Sequence, residues 1–275
     1  MKQYPPIPTV GDDDAPAFAG HRWLLEAVEG SPLRFQLQAS GAIRFGGERR
    51  VYRDDDAVPR ECRRAVQHVR ERLDREALRA AVPDVTALTF VGWATHRERI
   101  DYEWARLPPF LGFDVLAADG GPRPPDAVES IFDRLGLDPI NAVEREVHGR
   151  DFDPDSYAFP ASAWYDGPVA GVLIRDKHGG CARLPNDELS VAPAEPIGAE
   201  DPESLADAVA TERRFEQVAT RLRDRGQEAT VDRLCDGLLA DVYREEHGRL
   251  FTDGNIEESA LRTAVVRRAQ RYLGG

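Results

Sequence analysis

Amine side chains are scarce in this chain of 275 residues. Among its 36 basic residues only Lys2 and Lys177 are lysines, so chemistry that needs an amine has two places to start. Lys2 stands in Met1-Lys2-Gln3-Tyr4-Pro5-Pro6, which reads as a terminus expected to fray. Lys177 stands in Arg175-Asp176-Lys177-His178-Gly179-Gly180, a turn-like run. Gly180 lies three positions beyond it, with no acidic residue at 179. The three cysteines, Cys62, Cys181 and Cys235, are far apart and odd in number. That fits reduced thiols, with neither the spacing of a metal site nor a disulfide framework. No metal ligands are assigned.

The remaining candidates sit in short runs next to expected strands. Glu26-Ala27-Val28-Glu29-Gly30 is an acidic turn closed by glycine. After it, Leu33, Phe35 and Leu37 alternate with Arg34, Gln36 and Gln38. Ser40-Gly41 breaks the run, and Ile43 and Phe45 resume it before Gly46-Gly47. This predicts a hairpin of two half-buried strands, preceded by a strand over 22–26. Pro59 to Leu78 predicts one helix, with Cys62, Ala65, Val66, Val69, Leu73, Ala77 and Leu78 on one stripe and His68 beside it as a structural residue. Strands follow over 87–93, within 107–116 and over 168–175, with a helix from Pro125 to Leu135 between them. Residues 148–168 read as a long loop anchored by Trp164. After an acidic, proline-containing linker at 193–202 come three amphipathic helices, 203–225, 229–247 and 256–273, punctuated by Gly226 and Gly248. Arg267, Arg268 and Arg271 read as a solvated face of the last one. The expected fold class is α+β: antiparallel sheets with peripheral helices over 1–192, then a small all-α module over 200–275.

Taken in order, these runs resemble the motifs of the ATP-dependent RNA ligases of the covalent nucleotidyltransferase superfamily. The first motif there is Lys-x-Asp-Gly; Glu29 and Gly30 match its end, and Ala27 stands where the lysine carries AMP. Arg49 matches an arginine that holds phosphate or the RNA end. Phe113-Asp114-Val115 matches a motif whose phenylalanine stacks on adenine. Trp93 stands where a glutamate holds the ribose hydroxyls. Gly171 to Arg175 matches Gly-Val-Val-Ile-Lys/Arg, and Ala170 stands where a glutamate helps place metal and phosphates. Cys181-Ala182-Arg183 occupies the place of Lys-x-Lys, with Arg183 keeping one charge. The resemblance implies the nucleotidyltransferase fold, ATP and Mg²⁺ as cofactors, and RNA ends or a nucleotide as partners. A methyl group at Ala27 cannot be the nucleophile, and one at Ala170 ligates nothing. The scaffold residues are kept and the reacting ones are gone. That implies a ligase-like protein unable to adenylate itself, with an active paralogue as a partner beside RNA ends or nucleotide. Two alternatives stand: a working ligase that uses Lys177 or pre-adenylated ends, and a structural protein in which Trp93 fills the cleft.

Composition frames these readings. The chain is 41% hydrophobic and 31% charged, enough for one large domain or a large and a small one. The net charge is -13, and such acidity with almost no lysine resembles proteomes adapted to high salt, like those of haloarchaea. There an acidic surface serves solubility. No apolar run approaches the roughly 20 residues of a membrane span, and the first residues lack a signal-peptide core, so a cytoplasmic protein is expected.

Overall fold

The computed structural model describes residues 1–18, 20–118, 120–199, 201–250 and 257–274. The fold class is α+β. The chain divides into two compact units: residues 1–95 with 101–191, and residues 96–100 with 192–275. The short segment 96–100 thus belongs with the C-terminal helices, which its position in the sequence does not announce.

The first unit is built on two four-stranded antiparallel sheets. One has the order β6-β1-β7-β8, from β1 His21–Glu26, β6 Ala142–His148, β7 Gly171–Asp176 and β8 Cys181–Pro185. The other has the order β3-β2-β4-β5, from β2 Gly30–Leu37, β3 Ile43–Gly46, β4 Leu88–Thr95 and β5 Phe110–Ala117. The expected hairpin is present, with Phe35 opposite Phe45 and Leu37 opposite Ile43. Its first strand is buried on both faces, however, because Arg34 and Gln36 are tucked in as well. Arg34 Nε donates to the Gly47 carbonyl at 2.7 Å, and Gln36 Nε2 to that of Thr86 at 2.6 Å, so neither donor is buried without a partner.

The core of this second sheet is aromatic. Phe35 and Phe90 stack with centroids 4.8 Å apart, and Phe110 and Phe132 close the group. Helices α1 Arg63–Arg72 and α3 Pro125–Arg134 pack onto it through Val66, Val69 and Val128. The helix expected over 59–78 is two helices. Leu73 leaves helical geometry, and Asp74 caps α2 Arg75–Ala81 by accepting from the Ala77 N–H at 2.8 Å. The apolar stripe runs through the break, which is why periodicity alone joins the pieces.

The second unit shows the same effect. The segment expected as one helix over 203–225 splits into α4 Pro202–Val209 and α5 Glu212–Asp224, with the Thr211 side chain capping the second. α6 Val231–Glu245 is followed by the short α7 His247–Leu250, and α8 Glu258–Gly274 ends the unit. Residue 256, the expected start of the last helix, lies outside the described residues. Arg268 is not on a solvated face: its guanidinium is buried and reaches Asp207 and Glu203, tying α8 to α4. No helix among the described residues is long and apolar enough to cross a membrane.

Candidate functional site

Ala27 and Ala170 are brought together. Ala27 follows β1, Gly171 opens β7, and the Ala27 N–H donates to the Gly171 carbonyl at 3.0 Å. The adjoining Glu26 is buried and fully used. Asn141 Nδ2 donates to it at 2.8 Å and Ser162 Oγ at 2.5 Å, so it holds the long loop 148–168 in place. The Glu29 N–H donates to the Tyr102 hydroxyl at 3.1 Å. Gly30 has a packing reason of its own. A Cβ there would stand 2.4 Å from the Ala94 carbonyl oxygen of the paired strand β4, closer than real contacts allow.

Four other candidates meet elsewhere in the same unit, around a β-bulge. Gly92 pairs with Gly112 and Val91 with Asp114, so Phe113 is the extra residue on β5. A bulge re-aims side chains, and here both Phe113 and its neighbour Asp114 meet Arg175 of β7. Arg175 Nη2 lies 3.0 Å from Asp114 Oδ2. Its Nη1 donates to the Phe113 carbonyl at 2.5 Å. Its guanidinium carbon stands over the Phe113 ring, 4.9 Å from the centroid. Trp93 packs edge-to-face on Phe113 at 5.3 Å.

Tyr4 completes this cluster, and sequence reasoning missed it. Its ring packs edge-to-face on Phe113 at 5.3 Å. Burial, then the neighbouring Cys181 and Asp114, push its hydroxyl above the ordinary range. Burial likewise pushes the Cys181 thiol up to about 12, the nearby Arg175 opposing, so this thiol is not a nucleophile at neutral pH. Tyr4 is held there because the first ten residues are not frayed. Lys2 Nζ donates to the Ala117 and Ala118 carbonyls at 2.5 and 2.7 Å. At the other end, Val10 N–H and the Arg183 carbonyl pair at 2.8 Å, as do Arg183 N–H and the Pro8 carbonyl. The segment therefore runs from the β4–β5 edge of one sheet to β8 of the other. The lysine donors and the β8 edge outweigh the composition that suggested fraying.

Three candidates lie outside both groups. Arg49 and Arg183 are exposed. Lys177 sits in the β7–β8 turn with its Nζ 2.9 Å from Glu146 Oε1. That bond raises the lysine pKa, which keeps the amine protonated. The space beside Phe113 and Arg175, lined also by Trp23, Gly112 and Ile140, is about 10 Å³, near the minimum for one water. An open depression of about 420 Å³ lies on the β2–β3 hairpin instead, lined by Arg44, Tyr52, Asp55 and Arg70.

No family model matches the sequence, and no curated protein matches it significantly. Solved structures similar to it include an archaeal ATP-dependent RNA ligase, at 15% identity and a TM-score of 0.44, covering 100% of this chain and 62% of that one. The Naegleria gruberi RNA ligase, determined with ATP and Mn, is 13% identical with a TM-score of 0.46, covering 62% of this chain and 51% of that one. A putative ATP-dependent DNA ligase from Aquifex aeolicus is 11% identical with a TM-score of 0.45, covering 100% and 66%. The chain thus spans less than two thirds of the length of each of these proteins.

The residues here do not fit ATP and a metal ion. The methyl groups of Ala27 and Ala170 offer no ligand atom, the Phe113 ring is fully enclosed, and Arg175 is committed to Asp114.

Proposed function

We propose that this chain is an RNA-ligase-like protein that keeps a nucleotidyltransferase scaffold and does not attach AMP to itself. The observation that carries the reading is the Phe113 ring, with the Arg175 guanidinium over it at 4.9 Å and Tyr4 and Trp93 against it. The motif resemblance makes that ring the adenine platform, and a base cannot stack where a guanidinium already lies. The nucleophile is missing for an independent reason, since position 27 carries a methyl group. Lys177 does not replace it. A protonated amine has no lone pair to attack phosphorus, and the bond to Glu146 favours the protonated form. Of the ligase-like positions, Arg49 and Arg183 are the exposed cations, so they are the groups left to meet the phosphate of an RNA end.

Calorimetric titration with ATP and Mg²⁺, and separately with a 5′-phosphorylated RNA, tests this reading. ATP is expected to give no saturable heat. RNA binding is expected to weaken on Arg49→Ala and Arg183→Ala and to fall steeply with added salt. Submicromolar ATP binding would show that the cleft opens and would contradict the proposal.

A further inference from the structure

We propose that His96, Glu98 and His247 of the second unit form a binding site for one divalent transition-metal ion of the Zn²⁺ class. The three side chains each offer one ligand atom, and those atoms lie within 4.8 Å of one another. His96 Nδ1 is 3.4 Å from Glu98 Oε1, and His247 Nε2 is 3.9 Å from the same oxygen. The two imidazole rings stand 4.6 Å apart at 64°. Zinc bound tetrahedrally at about 2.0–2.2 Å places its ligand atoms roughly 3.3 Å apart. The 3.4 Å pair already fits that spacing, the 3.9 Å pair is about half an ångström wider, and the widest separation, up to 4.8 Å, closes by side-chain movement of up to about 1.5 Å. Two imidazoles and one carboxylate are a borderline donor set that suits Zn²⁺ and its neighbours far better than Mg²⁺ or Ca²⁺.

The backbone explains why the residues converge, although more than half the chain separates His96 from His247. The Arg97 N–H donates to the Arg244 carbonyl at 2.9 Å, and the Gly248 N–H returns to the Arg97 carbonyl at 2.9 Å. These two bonds stitch segment 96–100 to the end of α6 and the start of α7. They set His247 opposite His96 and Glu98. Position 248 must be glycine for this, because a Cβ there would stand 2.0 Å from the Glu98 carbonyl oxygen. Gly248 is therefore a close-approach residue inside α7 rather than helix punctuation.

Exposure is graded across the site. The His96 side chain is 2% exposed, that of His247 22% and that of Glu98 53%. A buried anchor with an exposed carboxylate gives an ion a way in and leaves a coordination position for water. Arg244 disfavours a cation beside His96. Glu246, paired with Arg97 at 3.9 Å and with Arg214 and Arg249 at 2.9 Å each, compensates its own arginine neighbours. A bound ion would clip residues 96–100 to α7 and stabilise the folded unit by mass action.

The test uses the full chain, stripped with a chelator, desalted, and titrated with ZnCl₂ by calorimetry, with thermal melts in parallel. One ion per chain is expected, with a rise in Tm. His247→Ala and Glu98→Gln are each expected to weaken binding by about tenfold or more, since the loss of even an outer-shell partner of a ligand typically costs about 10–100-fold. Because Glu98 is largely exposed, its variant keeps the test open should His247→Ala fail to fold. A second histidine pair, His21 and His148, has rings 5.2 Å apart, so His21→Ala is the control and should leave the affinity unchanged. Co²⁺ in place of Zn²⁺ should give a visible absorption band that the Glu98 variant alters. Absence of saturable binding to the wild type, binding equal in the wild type and both ligand variants, or binding lost in His21→Ala would each overturn the site.

Discussion

Arg175→Ala is expected to lower the unfolding free energy by about 3–5 kcal/mol, the usual consequence of removing one partner of a buried ion pair. Both side chains of the Arg175–Asp114 pair are almost fully enclosed, at 2% and 6% exposure. Loss of the guanidinium leaves the Asp114 carboxylate buried beside the Tyr4 hydroxyl. It also strips the Phe113 carbonyl of its donor and the Phe113 ring of its cation. For a unit of this size each kcal/mol moves Tm by about 2–4 °C, so the change is easily read in a melt or a urea titration. The double variant Arg175→Met with Asp114→Leu is expected to be milder than Arg175→Ala, because removing both charges leaves no uncompensated one. An arginine whose task was to grip phosphate would stand in solvent, and its loss would leave stability within about 0.5 kcal/mol.

Phe113→Ala separates the two readings of the phenylalanine in the same way. A ring that offers a face to adenine must be open on that face, and its truncation would weaken nucleotide binding with little change in stability. Phe113 has no exposed surface. Tyr4, Trp93 and Arg175 surround it. Its truncation is therefore expected to cost about 3–5 kcal/mol, like other buried phenylalanines, and to leave the response to ATP unchanged. Urea denaturation of the variant with and without ATP and Mg²⁺ checks both halves. A near-native midpoint combined with a lost ATP effect would show that Phe113 is a binding platform after all.

Much of the framework was legible in the sequence because its signals are local. Alternation over 33–37 and 43–45 marks the hairpin, and the apolar runs mark β4, β5 and β7. The stripes of α1 and α6 mark their buried faces. What hid were the breaks. Asp74 and Thr211 end one helix and start the next without interrupting the apolar stripe, so two pairs of helices read as two single ones. Strand β6 hid as well. Ala-Val-Glu-Arg-Glu-Val-His lacks clean alternation, and its pairing with β1 slips register twice. At the site, pairing of β1 with β7 joins Ala27 to Gly171, and Trp93 packs on Phe113 across the β4–β5 pair. The role of Tyr4 was not legible, since its position depends on hydrogen bonds that Lys2 and Pro8 make with distant strands. The convergence of His96 and Glu98 with His247 was invisible for the same reason: pairing between remote backbone segments leaves no periodic trace.

Whether the chain can carry AMP separates an inactive ligase-like protein from a working one. Incubation of purified protein with α-labelled ATP and either Mg²⁺ or Mn²⁺, followed by denaturing gel analysis, measures this directly. The wild type is expected to show no covalent label with either metal, and Ala27→Lys alone is expected to show none while Phe113 stays covered. A labelled wild-type band, above all one that disappears on Lys177→Ala, would contradict the account.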